Sequence, residues 1–358
     1  MQNKNCLKNH DIYMQRCLEL AKNGMGKVEP NPLVGAVVVH DNRIIGEGFH
    51  QRFGKSHAEV IAINSVIKRE LLRQSRLYVN LEPCAHQGKT PPCTDLIIKE
   101  QIPNVIIGTS DPNSLVAGRG IKKLRNAGVN VTLGVLENNC YDLNRRFFTF
   151  HKNNRPYVIL KWAETKDGFI DLHRQSEEEI GINWITSETS RTLVHRWRSE
   201  EQGILSGTNT VLKDDPKLTN RNWGGKNPTR IILDRNLRIP ESRSVYNTES
   251  RTLVYNSKFS GRKKNIEFIR CDFDKNNLTH VLDDLYRRGV ISLLVEGGKT
   301  MLEYCIQSDL WDEIRVFIGN IKFGEGIKSP DIRNFIPIYK EKVAGDLLKV
   351  ILKRSDKQ

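Results

Sequence analysis

Three potential metal ligands and a carboxylate follow one another in a fixed order within the first hundred residues. His57-Ala58-Glu59 comes first, then Glu82-Pro83-Cys84, and then Pro91-Pro92-Cys93. One imidazole and two thiolates can hold zinc tetrahedrally while the fourth position is left to water. Zinc lowers the pKa of a bound water from about 15.7 to about 7, which gives a hydroxide nucleophile at neutral pH. We therefore expect His57, Cys84 and Cys93 to bind one Zn2+.

A nucleophile of this kind needs a group that moves protons. Glu59 lies two residues after His57 on the same predicted helix turn, where it can take the proton of the water and pass it to a leaving amine. Zinc-dependent nucleobase deaminases use this order, H-x-E followed by P-C-x-x-C. This chain departs from that spacing because eight residues separate Cys84 from Cys93. The pattern predicts a zinc-dependent nucleobase deaminase, with Glu59 as a catalytic residue.

A second candidate site lies near residue 297, where the pattern predicts a strand, a Gly297-Gly298 turn and then a helix. Backbone N–H groups at a helix N-terminus suit a phosphate. The following Lys299-Thr300 does not complete a P-loop, because Leu293 stands where that motif needs a glycine. No G-x-G-x-x-G follows the opening strand of this half, so a standard dinucleotide-binding fold is not supported. Taken alone, the two glycines are as typical of a tight turn as of a ligand site.

Alternating strands and helices must position the first group of residues. The predicted strands are residues 33–39, 44–49, 76–80, 105–107 and 129–133. The predicted helices are residues 11–23, 57–68, 93–100 and 121–127. This alternation predicts a three-layer α/β/α sandwich.

A polar and basic segment, residues 141–156, predicts the boundary to a second domain. We place the domains at residues 1–147 and 148–358, since 358 residues are enough for two cores of ordinary size. The second α/β set has predicted strands at residues 157–162, 203–206, 229–233, 251–255 and 291–296. Its predicted helices are residues 188–198, 278–288 and 299–307.

Composition narrows the class of protein. Hydrophobic residues make up 38% of the chain, which is typical of a globular protein, and no apolar run is long enough to cross a bilayer. Residues 1–10 lack the apolar stretch of a signal peptide, so we expect a cytoplasmic protein. Seven scattered cysteines are not typical of a disulfide framework. The net charge of +14 favours anionic ligands, but no basic run interleaved with aromatic residues indicates a nucleic-acid surface.

The long spacer between the two cysteines carries a resemblance. The segment from Glu82 to Cys93 resembles the deaminase half of the bifunctional deaminase/reductase family of riboflavin biosynthesis, as do Pro30-Asn31-Pro32-Leu33-Val34-Gly35, Asp111-Pro112-Asn113 and Ala117-Gly118-Arg119-Gly120. The resemblance implies a cytidine-deaminase-like fold. It also implies a phosphorylated substrate, 2,5-diamino-6-(5-phosphoribosylamino)pyrimidin-4-one, in which oxygen replaces one ring amino group.

The same resemblance implies roles for further residues of the first half. Asn31 would contact the pyrimidine ring, and His86 and Lys89 would face the substrate and its phosphate. For His50, which precedes the helix of His57, contact with the substrate and simple packing both stay open.

Five segments of the second half resemble the reductase half of the same family. They are Leu160-Lys161, Asp167-Gly168, Trp184-Ile185-Thr186-Ser187, the run from Thr210 to Thr219, and Val295-Glu296-Gly297-Gly298. The resemblance implies a dihydrofolate-reductase-like α/β domain that uses NADPH. The implied reaction reduces the ribosyl group to a ribityl chain through an open-chain imine or aldehyde at the sugar C1.

The resemblance also places residues around the two ligands of this half. The residues implied on the NADPH side are Ala163, Trp184, Thr210, Asp214 and Gly298. Those implied on the substrate side are Arg198, Arg221, Leu218 and Glu296, and a guanidinium is well suited to the substrate phosphate. Lys161 would be a catalytic or substrate-orienting group. Arg235, just after a predicted strand, is a candidate for the NADPH 2′-phosphate.

The chain departs from the family pattern at two places. The family usually has Ser-Leu-Asp-Gly-Arg where this chain has Thr165-Lys166-Asp167-Gly168-Phe169. Two positions before Trp184, where the family often has a substrate contact, stands Ile182, which has no polar group. These departures concern the lining of the reductase pocket, so Lys166, Phe169 and Ile182 are the positions to inspect.

Two alternative functions stay open on the sequence. The first is a deaminase of nucleosides or tRNA bases, with a C-terminal RNA-binding or regulatory module that the positive charge would suit. The second is a structural zinc site in a non-enzymatic protein, for which His86 would be the fourth ligand. We favour the bifunctional enzyme, with the phosphorylated aminopyrimidine and NADPH as its partners and with no nucleic acid or membrane. A homo-oligomer is compatible with the sequence.

Overall fold

The computed structural model describes residues 2–87, 91–113, 116–174, 180–273 and 277–353. The chain divides into two compact units, Met1–Asn154 and Arg155–Gln358. No helix in the described part of the chain combines the length and apolar character that crossing a bilayer requires.

The first unit is built on one five-stranded sheet. Its strands are β1 (Gly35–His40), β2 (Arg43–Phe49), β3 (Arg76–Leu81), β4 (Asn104–Thr109) and β5 (Asn130–Leu133), in the order β2-β1-β3-β4-β5. Strand β1 is antiparallel to β2 and β3, whereas β3, β4 and β5 are parallel to one another. The carboxyl ends of β3 and β4 therefore lie at the same edge of the sheet.

Helices cover both faces of this sheet. They are α1 (Gln2–Lys22), α2 (Ala58–Asn64), α3 (Cys93–Lys99), α4 (Arg119–Asn126), α5 (Glu137–Leu143) and α6 (Arg145–Asn153), with a short 3-10 helix at Arg69–Gln74. Val37 and Val39 of β1 pack with α1 in one core cluster. Ala36 and Val38 pack with α2, α3 and α4 in the cluster on the other face. This alternation along one strand gives three layers.

The segment that we predicted as the domain boundary is mostly helical. The predicted boundary between residues 147 and 148 falls inside α6, and the division by contacts lies after Asn154 instead. Phe147 and Phe148 pack against Leu81 of β3, which ties α6 to the first unit. The helix ends at Asn153, and its C-cap residue Asn154 has a left-handed φ of 53°. The segment is polar on average, so the sequence analysis did not recognise that two of its aromatic side chains, Phe147 and Phe148, are buried.

The second unit contains a ten-stranded sheet with a parallel centre. The parallel strands are β6 (Tyr157–Glu164), β8 (Gly203–Gly207), β9 (Thr229–Leu233), β10 (Thr252–Asn256), β12 (Ile266–Arg270), β13 (Ser292–Val295) and β14 (Glu313–Ile318). The antiparallel strands are β17 (Asp346–Leu352) and, at the two edges of the sheet, β11 (Gly261–Lys263) and β16 (Tyr339–Val343). The strand order is β11-β12-β10-β9-β8-β13-β6-β14-β17-β16. Strands β7 (Phe169–Asp171) and β15 (Ile327–Lys328) form a separate pair.

Helices again cover both faces. They are α7 (Glu188–Glu200), α8 (Thr208–Asp214), α9 (Asn277–Arg287) and α10 (Lys299–Gln307), with a short 3-10 helix at Ser244–Tyr246. Val194 of α7 and Val211 of α8 belong to one core cluster. Leu282 of α9 and Leu302 of α10 belong to the cluster on the opposite face. Helix α8 follows β8, and helix α10 follows β13. Because β8 and β13 are neighbouring parallel strands, both helices begin just after the carboxyl ends of neighbouring strands.

Candidate active sites

His57, Cys84 and Cys93 come together at the carboxyl end of β3. His57 immediately precedes α2, Cys93 is the first residue of α3, and Cys84 lies in the loop after β3. The Nδ1 atom of His57 lies 3.3 Å from the Cys93 Sγ and 3.5 Å from the Cys84 Sγ. Tetrahedral zinc with Zn–N of about 2.0–2.1 Å and Zn–S of about 2.3 Å separates such atoms by about 3.5 Å. The donor set and its spacing fit a zinc ion.

Of the described residues, these three have ligand atoms that cluster within 4.8 Å of one another. His86, which we considered as a fourth ligand, is not part of the cluster and is exposed. Three protein ligands are typical of a catalytic zinc site, whereas structural sites usually have four. The geometry therefore favours the catalytic interpretation over the structural one.

Burial and hydrogen bonding set the charges of this site. Cys93 donates a hydrogen bond that lowers the pKa of Cys84 to about 4, and His57 supports the same thiolate. That hydrogen bond, together with burial, raises the pKa of Cys93. Glu59 is 3% exposed, and burial followed by the Cys84 charge raises the pKa of its carboxyl to about 7. A carboxyl in this state can both accept and return a proton near neutral pH.

Asn31 and His50 lie beside the same site. The Asn31 Nδ2 atom is 3.1 Å from His50 Nε2, and His50 Nδ1 is 3.0 Å from the Ser56 carbonyl oxygen. The His50 ring meets the His57 ring edge-on, with 5.5 Å between centroids. His50 is 3% exposed, so packing and a contact with the bound substrate are both compatible with its position. Lys89 lies outside the described residues.

Glu82 has a clear structural role that sequence reasoning missed. Its Oε1 accepts hydrogen bonds from the Gly120 and Ile121 N–H groups at 2.9 and 3.2 Å, and its Oε2 accepts from the Asp111 and Gly118 N–H groups at 3.2 and 3.0 Å. The side chain is 4% exposed. One carboxylate thus holds the end of β3 to the segment that leads into α4. The signal in the sequence was the glutamate of Glu82-Pro83-Cys84, which shows that this motif contains a second functional side chain besides the cysteine.

Asp111 was also missed as a site residue, although its motif was noted. It follows β4 and lies at the same sheet edge as Cys84. Burial raises the pKa of Asp111 to about 6, against the opposing effect of the Asn113 N–H that donates to it at 2.8 Å. Two polar residues after neighbouring parallel strands form a common signal of a site at that edge.

In the second unit, a cavity of about 420 Å³ lies over the carboxyl ends of the central strands. It brings together most of the residues that the sequence predicted for the two ligands. Those that line it are Lys161, Ala163, Trp184, Arg198, Thr210, Asp214, Leu218, Arg221, Glu296 and Gly298. His195 lines it as well, and sequence reasoning missed this residue.

Three charged side chains form the centre of this cavity. Arg198 holds Glu296 with two hydrogen bonds, Nε to Oε1 at 2.7 Å and Nη2 to Oε2 at 2.8 Å. The Lys161 Nζ lies 3.6 Å from Glu296 Oε2. Burial alone would raise the pKa of Glu296, but the charges of Arg198 and Lys161 outweigh it and lower that pKa to about 2. Burial lowers the pKa of Lys161, with Glu296 opposing the change.

Asp214 and Trp184 each have a cationic neighbour. The Arg174 Nη2 donates to Asp214 Oδ1 at 2.6 Å, and Arg174 also contacts Asp171 at 3.2 Å. Burial raises the pKa of Asp214 to about 6, and Arg174 opposes this rise. The Arg191 guanidinium carbon lies 4.4 Å from the Trp184 ring centroid. Asp214 is therefore held by Arg174, and Trp184 is held by Arg191. The sequence analysis did not indicate either arginine.

A smaller cavity of about 390 Å³ shares Asn209, Thr210, Gly298 and Thr300 with the first. The Gly298 N–H donates to Thr210 Oγ1 at 2.9 Å across the boundary between the two cavities. Arg238 lines this smaller cavity, whereas Arg235, our candidate for the 2′-phosphate, is not among its lining residues. Arg238 follows the same strand, three positions later.

Two family models match the chain, one for each half. The model described as the cytidine and deoxycytidylate deaminase zinc-binding region matches residues 7–109. The model of the RibD C-terminal domain matches residues 156–337. The riboflavin biosynthesis protein RibD of Aquifex aeolicus is 41% identical over 357 residues, which cover 96% of this chain and 98% of that protein.

The chain belongs to the RibD family of riboflavin biosynthesis proteins.

Other members of the RibD family agree with this assignment. RibD of Escherichia coli is 33% identical over 86% of this chain and 87% of its own length. A Thermotoga maritima structure described as a diaminohydroxyphosphoribosylaminopyrimidine deaminase/5-amino-6-(5-phosphoribosylamino)uracil reductase is 39% identical, with a TM-score of 0.88, over 97% of this chain and 99% of that chain. An Acinetobacter baumannii RibD structure is 30% identical, with a TM-score of 0.86, over 98% of this chain and 100% of that chain.

Membership of the RibD family confirms the predicted fold class and the predicted two activities. The chain is a bifunctional enzyme with a cytidine-deaminase-like zinc-binding domain and a reductase domain that is dihydrofolate-reductase-like and works with a nicotinamide cofactor. The alternative with an RNA-binding C-terminal module is not supported, because the RibD C-terminal domain occupies that half.

The two departures from the RibD pattern have different positions. Lys166 and Phe169 are not among the residues that line the larger cavity, whereas Ile182 is. Phe169 is 6% exposed and lies under Lys328, whose Nζ is 3.7 Å from its ring centroid. Phe169, which stands where the family usually has arginine, therefore changes the packing behind the pocket. Ile182 changes the wall of the pocket itself.

Proposed function

We propose that the enzyme first deaminates 2,5-diamino-6-(5-phosphoribosylamino)pyrimidin-4-one and then reduces the ribosyl group of the product to ribityl with NADPH. The observation that carries this proposal is the presence of two complete reactive clusters in separate units, His57-Cys84-Cys93 with Glu59 and Lys161-Glu296-Arg198. The activity named for the Thermotoga maritima structure supports the same substrates.

In the deaminase unit, His57, Cys84 and Cys93 would hold the zinc ion. When bound, zinc supplies the Lewis-acid chemistry that makes a water acidic. Glu59, buried next to these ligands, accepts a proton from the attacking water and returns it to the departing amine. Replacement of the amino group by oxygen is then balanced by the release of ammonia.

Asn31 and His50 act together in this proposal. Because His50 Nδ1–H donates to the Ser56 carbonyl, its Nε2 accepts from the Asn31 amide N–H. The Asn31 Oδ1 is thereby left to accept a hydrogen bond from the pyrimidine amino group. His86 and Lys89 are proposed to face the ribosyl phosphate.

In the reductase unit, Lys161 is the proposed proton donor. When bound, the nicotinamide cofactor would supply a hydride for C1 of the open-chain imine. The Lys161 ammonium would give a proton to the imine nitrogen, so that C=N becomes CH–NH. Burial, which lowers the pKa of Lys161, makes this transfer easier, and Glu296 keeps the ammonium in place at 3.6 Å. Arg198 fixes Glu296 with one edge of its guanidinium, and Arg221 and Arg198 are proposed to contact the phosphate.

NADPH is proposed to extend from the larger cavity into the smaller one. Ala163, Trp184 and Asp214 would border the nicotinamide end in the larger cavity. Thr210 and Gly298, which line both cavities, would lie at the phosphates, where α10 begins. Arg238 lies farther along the smaller cavity and replaces Arg235 as our candidate for the 2′-phosphate. This position is the reason for proposing NADPH over NADH.

Mass spectrometry of the substrate after incubation with zinc-loaded enzyme tests both steps. Without NADPH, we expect replacement of one amino group by oxygen, with the label incorporated when the water contains oxygen-18. With NADPH, we expect the further gain of two hydrogens. Deamination that is not followed by reduction would contradict the proposed second step. An unchanged substrate under both conditions would contradict the whole assignment.

A further inference from the structure

His195 lies one helical turn before Arg198 on α7, and both side chains reach the segment from Leu218 to Arg221. The Arg221 N–H donates to His195 Nδ1 at 3.1 Å. The Arg198 Nη1 donates to the Thr219 carbonyl at 3.1 Å, and the Arg221 Nη1 donates to the Thr219 hydroxyl at 3.3 Å. The helix thus holds the backbone of this segment at two points, and the segment presents the Arg221 guanidinium to the cavity.

The surroundings of His195 decide its charge and tautomer. Its side chain is 5% exposed, and burial with the charges of Arg198 and Arg221 lowers its pKa to about 4. The ring is therefore neutral at physiological pH. Because Nδ1 accepts the Arg221 N–H, the single ring proton is on Nε2. The ring lines the larger cavity, and an interaction with the Thr219 backbone partly opposes the lowering of its pKa.

Arg198 and Arg221 differ in how much of the guanidinium is left for a ligand. Two bonds to Glu296 and one to Thr219 engage Arg198. Arg221 has no carboxylate within ion-pair distance among the described residues. An anionic group of the substrate that binds Arg221 therefore lies next to His195, where a neutral N–H donor adds a hydrogen bond to an oxygen that already faces a cation.

We propose that His195 is a phosphate-positioning residue of the reductase pocket, whose Nδ1 fixes the Arg221 backbone and whose Nε2–H donates to the substrate phosphate beside the Arg221 guanidinium. The inference rests on the proposed function, because it takes the reductase substrate to be a phosphate monoester. It adds to that function a residue that selects for the phosphate.

Two isosteric replacements separate the two ring nitrogens. Asn in His195→Asn can place an oxygen where Nδ1 accepts the Arg221 N–H, but it cannot reach the position of Nε2. Gln in His195→Gln places an amide N–H near Nε2 and loses the Nδ1 acceptor. His280→Asn is the matched control, since His280 is exposed on α9 and away from the cavity lining.

The full-length enzyme is assayed with the deaminated substrate and with its dephosphorylated form. For His195→Asn we expect the KM for the phosphorylated substrate to rise about ten- to hundredfold, because a hydrogen bond to a charged group is lost. The KM for NADPH, and kcat/KM for the dephosphorylated form, should stay within about twofold. His195→Gln should restore most of the lost affinity, and His280→Asn should behave as the parent.

The outcomes of this assay are distinct. A parent enzyme that reduces neither substrate overturns the proposed function itself. A parent that reduces the phosphorylated substrate, with His195→Asn impaired equally on both substrates or on neither, overturns the role of His195 alone. If His195→Asn does not fold, the test depends on His195→Gln, whose amide N–H should keep the preference for the phosphorylated substrate. Loss of that preference in His195→Gln would overturn the proposal.

Discussion

At the residue scale, Arg235 and Arg238 are two identical side chains in one loop that differ in their position relative to the smaller cavity. Both follow β9 and are exposed, but Arg238 lines the smaller cavity and donates to Asn209 Oδ1 at 2.6 Å. Asn209 lines both cavities, so Arg238 lies next to the proposed path of the cofactor. A 2′-phosphate bound there would gain a charge-assisted hydrogen bond.

We therefore expect Arg238→Ala to raise the KM for NADPH at least about tenfold and to change the KM for NADH by less than about twofold. Arg235→Ala, the matched control, should change neither value. Steady-state kinetics with both cofactors measure this difference. An equal loss with NADH and NADPH, or a larger effect at Arg235, would contradict the assignment of the 2′-phosphate to Arg238.

At the scale of elements, Glu82 connects β3 to the start of α4. Four backbone N–H groups share its two carboxylate oxygens, and the side chain is 4% exposed. A Cβ at Gly120 would lie 2.1 Å from the Pro83 carbonyl oxygen, so the two segments also approach closely. The segment that includes Asp111 is therefore held in place by one buried anion.

Glu82→Gln replaces one of these acceptors with an amide donor that faces N–H groups. We expect the first unit to lose about 2–4 kcal/mol of unfolding free energy, because each buried donor left without an acceptor costs about 1–3 kcal/mol. Glu137→Gln at an exposed position of α5 is the control and should cost less than about 0.5 kcal/mol. Chemical denaturation followed together with deaminase activity gives both values. Equal stabilities of the two variants would show that the carboxylate does not hold the segment.

At the scale of the whole molecule, the two reactive clusters belong to different units. His57, Cys84, Cys93 and Glu59 lie before residue 154, and the residues around Lys161 lie after it. Among the residues that the structure describes, each set comes from its own unit. The two reactions should therefore fail independently.

Glu59→Gln should lower the deamination rate at least about a hundredfold, because general acid–base catalysis is lost. Reduction of supplied deaminated substrate should stay within about twofold of the parent. Removal of zinc with a chelator should give the same pattern, and zinc should reverse it. Glu70→Gln, at an exposed position, is the control. Loss of both activities in a folded Glu59→Gln enzyme would contradict the division between the units.

Much of this protein was determined by the sequence itself. The order of His57, Cys84 and Cys93 predicted a group of ligands that the structure brings within zinc-binding distance. Apolar runs predicted β6, β8, β9, β10 and β13 close to their observed bounds, since strands buried on both faces are nearly continuously apolar. Both results depend on local spacing or local composition. Strand β14 is buried but was not predicted, because Glu313 and Arg315 interrupt its apolar run. The strands β12, β16 and β17 and the helix α6 were not predicted either.

Tertiary structure alone decided which side chains meet. Arg198 and Glu296 are 98 positions apart, Glu82 and Gly120 are 38 apart, and His195 and Arg221 are 26 apart. No local pattern specifies such pairs, because they depend on which strands are neighbours and how each helix packs on the sheet. The same reason explains why Arg238 and not Arg235 lines the smaller cavity: the sequence gives the residue type near a strand end, and packing selects the side chain that faces the cavity.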